Sequence, residues 1–116
     1  MSILDKTDAD IREIAAPLWR DLVKHSNEGK FGEFTKDFSR AFAQAMNQVE
    51  VGHQFANSKL ARNLAEGADF LGTIRRGEHV TVLYKQRSTE RPGEWLGRMV
   101  LGDEDGKVRI FGASIF

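Results

Sequence analysis

Three side chains in this 116-residue chain combine a reactive group with a setting that acid–base chemistry would use: Asp69, His53 and Tyr84. General acid–base catalysis needs a titratable group whose pKa burial or a neighbour has displaced. Asp69 stands where a predicted strand begins, His53 where a predicted helix begins, and Tyr84 on the predicted core face of a strand. Each also has a plainer role: Asp69 as an edge or turn residue, His53 as an exposed polar group, Tyr84 as a core residue with its hydroxyl bonded to backbone. The three histidines, His25, His53 and His79, fall on different elements. Asp21 and His25 are spaced i, i+4, but one carboxylate and one imidazole are too few ligands for a metal ion. They read as a surface charge pair. With no cysteine, disulfides, thiolate metal sites and cysteine nucleophiles are excluded. No phosphate loop, dinucleotide fingerprint or nucleophile elbow occurs, and Gly29-Lys30-Phe31-Gly32 lacks phosphate-loop spacing and reads as a helix break. The sequence predicts no metal and no cofactor.

Composition narrows the classes further. Apolar content of 41% and charged content of 29% fit a single globular domain able to bury one core. The charge is balanced in both parts: nine basic and ten acidic residues in 1–66, eight and seven in 67–116. No basic footprint for nucleic acid emerges, even though Arg75, Arg76, Arg87, Arg98 and Arg109 cluster in the second part. The N-terminal residues form no signal peptide and no long apolar run follows, so the expected location is cytoplasmic.

The elements that must position these groups fall into two halves. Thr7 followed by Asp10 resembles a capping box, and Ile11, Ile14, Ala15, Leu18, Trp19, Leu22 and Val23 then keep helical spacing. Pro17 is expected to kink or split that helix near Ala16, and Asn27-Glu28-Gly29 to stop it. Phe31, Phe34, Phe38, Phe42 and Met46 follow at spacings of three or four, one helical face with a break near Asp37-Phe38-Ser39. A third helix is predicted from Gly52 to Leu64, ended by Ala65-Glu66-Gly67.

From Ala68 onward four short strands alternate with turns at Arg76-Gly77, Ser88–Gly93 and Asp103–Gly106. Connections this short favour antiparallel neighbours and hence a meander. Pairing Tyr84 with Gly97 and Val82 with Met99 keeps one face apolar, whereas a one-residue slip would place Lys85 and Thr81 there. Taking Asp103–Gly106 wholly as loop pairs Met99 with Ile110, Leu101 with Val108 and Gly97 with Gly112. The two glycines then lie side by side on the core face. The hole they leave is filled by the Tyr84 ring or by close approach of a helix, or it forms the floor of a ligand pocket. Trp19, Phe34, Phe38, Tyr84, Trp95, Gly97, Met99 and Gly112 are the candidate pocket residues. The opposite face carries Leu83, Leu96, Val100, Phe111 and Ile115 beside Arg98, an apolar patch rimmed by arginine that reads as a homodimer face.

This order resembles the NTF2-like, or ketosteroid-isomerase-like, α+β superfamily. It has an N-terminal amphipathic helix, the run Gly29-Lys30-Phe31-Gly32-Glu33-Phe34 with Asp37-Phe38-Ser39, a further helix, and a meander ending Asp105-Gly106-Lys107-Val108-Arg109-Ile110-Phe111-Gly112. The resemblance implies helices at 7–66 packed on a curved antiparallel sheet at 68–116, a cavity between them and dimerisation through the sheet. The chain has one strand fewer than fuller members and no matching set of catalytic aspartate and oxyanion-hole groups. The expected function is therefore a non-catalytic dimeric module binding a small apolar ligand or a protein partner. The alternative is a small isomerase or dehydratase working in a hydrophobic pocket.

Overall fold

The computed structural model describes residues 2–28, 35–46 and 62–115. They form an α+β fold in which a long N-terminal helix lies against a four-stranded antiparallel sheet. The helix, α1 (Asp8–Glu28), begins where the Thr7 hydroxyl accepts from the Asp10 amide at 3.2 Å. It runs unbroken through Pro17 and does not split there. Pro17 and Glu13 are both solvent-exposed, so the Glu13 carbonyl that proline leaves without a donor faces water. Ile11, Ala15, Trp19, Leu22 and Val23 are buried at spacings of four, four, three and one, the stripe that faces the sheet.

A turn at 35–37 leads to Phe38, and α2 (Arg40–Met46) follows. The predicted break falls here because 37–39 leaves the helix to pair with a strand edge. Ile110 donates to the Asp37 carbonyl and the Ser39 amide donates to Ile110, both at 2.8 Å. Of the predicted third helix only the end lies within the described residues, and that end is extended. Leu64 forms an antiparallel bridge with Ser88, flanked by bonds of 2.8 Å from Ala65 to Arg87 and from Thr89 to Asn63.

The sheet is a meander of β1 (Asp69–Arg76), β2 (His79–Gln86), β3 (Trp95–Glu104) and β4 (Lys107–Ile115). The β2–β3 register is the one burial favours, with Tyr84 opposite Gly97 and Val82 opposite Met99. The β3–β4 register differs from the expected one. Asp105 and Gly106 both take positive φ, 54° and 77°, which closes a two-residue turn between Glu104 and Lys107 and leaves Asp103 and Glu104 in the strand. Leu101 consequently pairs with Ile110, and a bulge beyond it places Val100 opposite Gly112, Met99 opposite Ala113 and Gly97 opposite Ile115. Val80, Val82, Met99, Leu101 and Ile110 are fully buried on the inner face, joined by Ile3 and Ile11.

Candidate functional site

Among the described residues, the inner face is closed at one end and open at the other. At the closed end Asp103 accepts from the Ile3 amide at 2.9 Å and from the Ser2 hydroxyl at 3.1 Å. Nearby, Asp8 accepts from Arg75 at 2.7 Å and from Thr73 at 3.0 Å. The Arg75 hydrogen bond, with that of Thr73, holds the Asp8 carboxyl below its usual range.

At the other end Trp19 decides the geometry. Its ring lies on the backbone of Gly97, where a Cβ would stand only 2.5 Å from Cζ2 and 2.8 Å from Cη2. It stacks on Tyr84 with centroids 5.1 Å apart and planes inclined by 19°. The indole Nε1 donates to the Gln86 carbonyl oxygen at 3.0 Å. Gln86, wholly buried, turns its amide nitrogen to the carbonyls of Ala65 at 2.7 Å and Arg87 at 2.9 Å. This one amide fixes the tryptophan and ties the 63–65 segment to the end of β2. Asn27 makes a second tie, exchanging hydrogen bonds of 2.8 and 2.9 Å with the Leu64 carbonyl and amide.

Between these two ties and β1 the chain bends through Glu66-Gly67-Ala68, with Gly67 at φ +80°. A cleft of about 550 Å³ opens there, a size that suits a small organic molecule. One wall is a strip of α1: Ala16, Trp19, Arg20, Val23, Lys24 and Asn27. Facing it are Glu66, Gly67 and Ala68, with Tyr84 also lining the space. A separate cavity of about 80 Å³ lies toward the end of β4, and Trp19 and Val23 line both.

Tyr84 is the chemically distinctive member. The residue is only 4% exposed, and its hydroxyl is buried without a hydrogen-bond partner among the described residues. The expected bond to backbone is therefore not made. Burial pushes the phenol up to about 12, the Arg12 cation opposing that shift. At neutral pH the group is a protonated donor, suited to a ligand oxygen and unsuited to removing a proton.

The other candidates fall in different places. Gly97 is covered by Trp19 and Met99 is fully buried, while Trp95 is half-buried opposite Gln86. Phe38 packs in the core at the β4 edge, stacked on Phe42 at 4.3 Å. Phe34 and His53 lie outside the described residues. Gly112 sits opposite Val100 on the outer face and not beside Gly97, because the bulge has reversed the alternation. The same reversal turns Ile115 inward, where it packs against the core, so it leaves the outer-face set. Leu83, Leu96, Arg98 and Val100 are on the outer face, and Phe111 joins them, packed beside His79 with centroids 4.7 Å apart. Leu71 and Ile74 are 52% and 44% exposed. Asp69 is exposed and ion-paired with Arg87 at 3.1 Å, outside the cleft lining. His25 is buried, and its partner is Glu28 at 3.7 Å, while Asp21 pairs with Lys36 at 3.5 Å, so the expected Asp21–His25 pair does not form.

Sequence reasoning missed Gln86, Arg20 and Lys24. Strand alternation puts Gln86 on the face of Val80, Val82 and Tyr84, and an amide there must find partners. Arg20 and Lys24 flank the apolar stripe of α1 one turn apart. No helix among the described residues is long and apolar enough to cross a membrane, and they hold no cluster of metal-ligating side chains. In comparison with known proteins, the chain matches no protein-family model, no curated protein and no solved structure.

Proposed function

We propose that this chain is a non-catalytic binding domain of NTF2-like architecture that takes a small, largely apolar ligand in the cleft between α1 and the sheet. The observation that carries the reading is a cleft of about 550 Å³ lined by Tyr84, a residue whose hydroxyl is buried and has no hydrogen-bond partner among the described residues. Leaving such a group unsatisfied costs about 1–3 kcal/mol. A ligand oxygen accepting from it recovers that cost while Trp19, Val23, Ala16 and Ala68 take up the apolar body. The lining also bears on the isomerase or dehydratase alternative, because a protonated Tyr84 is a donor and Asp69 does not reach the cleft.

A neutral probe with an oxygen at each end of a flat body, methyl 6-hydroxy-2-naphthoate, tests this by calorimetric titration. The expected result is one saturable site, weakened about tenfold by Tyr84→Phe, the equivalent of one hydrogen bond. The thermal midpoint of the unliganded variant should not fall below the parent's, because the substitution removes an unsatisfied buried hydroxyl. Non-saturable binding, or full affinity in Tyr84→Phe, overturns the assignment.

We further propose that two copies pair through the outer sheet face. Leu71 and Ile74 stand exposed there and continue into half-buried Leu83, Leu96, Val100 and Phe111. Sedimentation equilibrium should find a dimer that Leu71→Ser/Ile74→Ser converts to monomer; a monomeric parent refutes it.

A further inference from the structure

The rim of the cleft carries a charge pattern that the ligand reading leaves unused. Arg20 and Lys24 stand one turn apart on α1, both in the cleft wall and both exposed. Neither side chain makes an ion pair or hydrogen bond among the described residues. Elsewhere on the surface some cations meet acids, Lys36 with Asp21, Arg75 with Asp8, Lys85 with Glu94 and Arg87 with Asp69, while others, such as Arg76 and Arg91, have no ion pair among the described residues. Among the described residues the acid lining the cleft is Glu66, so there two cations face one carboxylate. A rim of excess positive charge beside a low-dielectric wall attracts and orients an anion.

We propose that the ligand of this cleft is an organic carboxylate with a flat apolar body. Its carboxylate lies against Arg20 and Lys24, its body against Trp19 and Val23, and an oxygen at its far end accepts from Tyr84. The inference rests on the reading of the cleft as a ligand site and adds the charge of the ligand.

The test compares 6-hydroxy-2-naphthoate with its methyl ester by calorimetric titration on the full chain, two probes with the same ring system that differ in charge and in one methyl group. The acid should bind at least tenfold more tightly than the ester, and added salt should shrink the difference. In Arg20→Ala/Lys24→Ala, two exposed changes that leave the core intact, the acid's advantage over the ester should vanish, the acid losing at least tenfold more affinity than the ester. Tyr84→Phe should weaken both probes alike. Equal affinity of acid and ester in the parent overturns the carboxylate assignment and leaves the cleft reading standing. An advantage of the acid that survives in the double variant overturns it as well. If neither probe binds, the carboxylate assignment and the cleft reading fall together.

Discussion

The two faces of the sheet each carry a glycine that the sequence pairs together, and the fold treats them oppositely. Gly97, on the inner face, is pressed by Trp19 so closely that no Cβ would fit without movement. Gly112, on the outer face, has Val100 as its nearest neighbour at 3.6 Å, an ordinary contact. The inner glycine is a socket for one aromatic ring, while the outer one is a strand residue with space beside it. A missing side chain matters only where something occupies its place. Around the inner socket a single buried amide, Gln86, locks the ring, and the cleft with its unpartnered hydroxyl opens beside it. The outer face fills a different glycine, Gly102, where a Cβ would stand 2.7 Å from His79 and 2.8 Å from Phe111, and presents half-buried Leu83, Leu96 and Val100 beside it.

The widest separation of the two faces should come from Gly97→Ala and Gly112→Ala. Forcing the Trp19 ring off Gly97 disturbs its stack on Tyr84 and its bond to Gln86, and overpacking of this kind costs about 1–3 kcal/mol. Gly112→Ala should change stability by no more than about 0.5 kcal/mol, as surface substitutions do. Urea midpoints of the two variants settle it: equal losses would mean that the glycines share one environment, as the side-by-side register requires.

A smaller effect should appear in alkali. Tyr84 is the chain's one tyrosine, so phenolate absorbance titrates it alone. The folded value of about 12 lies above the ordinary value of 10, so the folded state favours the protonated phenol. Its contribution to stability is therefore complete below about pH 10 and is lost as pH rises toward 12. The parent should lose stability over that window relative to Tyr84→Phe, which removes the contribution of other alkaline groups by difference. A phenol titrating at 10 in the folded protein would place the hydroxyl in water and remove the basis for a ligand bond.

Much of the frame was legible in the residues. The α1 stripe from Ile11 to Val23 follows from helical spacing, and the β2–β3 register follows from the penalty of burying Lys85 and Thr81. The break before α2 was signalled at Asp37-Phe38-Ser39, although its cause, pairing of 37–39 with Ile110, is a tertiary one. The β3–β4 register was misjudged on a local signal that was present. Asp105-Gly106 suits a two-residue turn with positive φ at both positions, and reading four residues as loop shifted the pairing by two. The bulge beyond Ile110 shifted it by one more and exchanged the faces of Gly112 and Ile115. Pro17 does not split α1 because the carbonyl it orphans can reach water.

By itself the sequence determined which face of α1 and of β2 turns inward, because burying a polar or charged side chain on the wrong face costs more than any local preference returns. It determined equally that thiolate chemistry is absent. Only the tertiary structure decided what fills the space over Gly97, since Trp19 and Tyr84 were both large enough and the choice rests on how α1 lies across the sheet. The same is true of the cleft. Arg20, Lys24, Glu66 and Tyr84 come from three separated stretches, and no spacing along the chain brings them together. Their meeting follows from the ties that Gln86 and Asn27 make to the backbone at 64–65, contacts between segments that only folding makes neighbours.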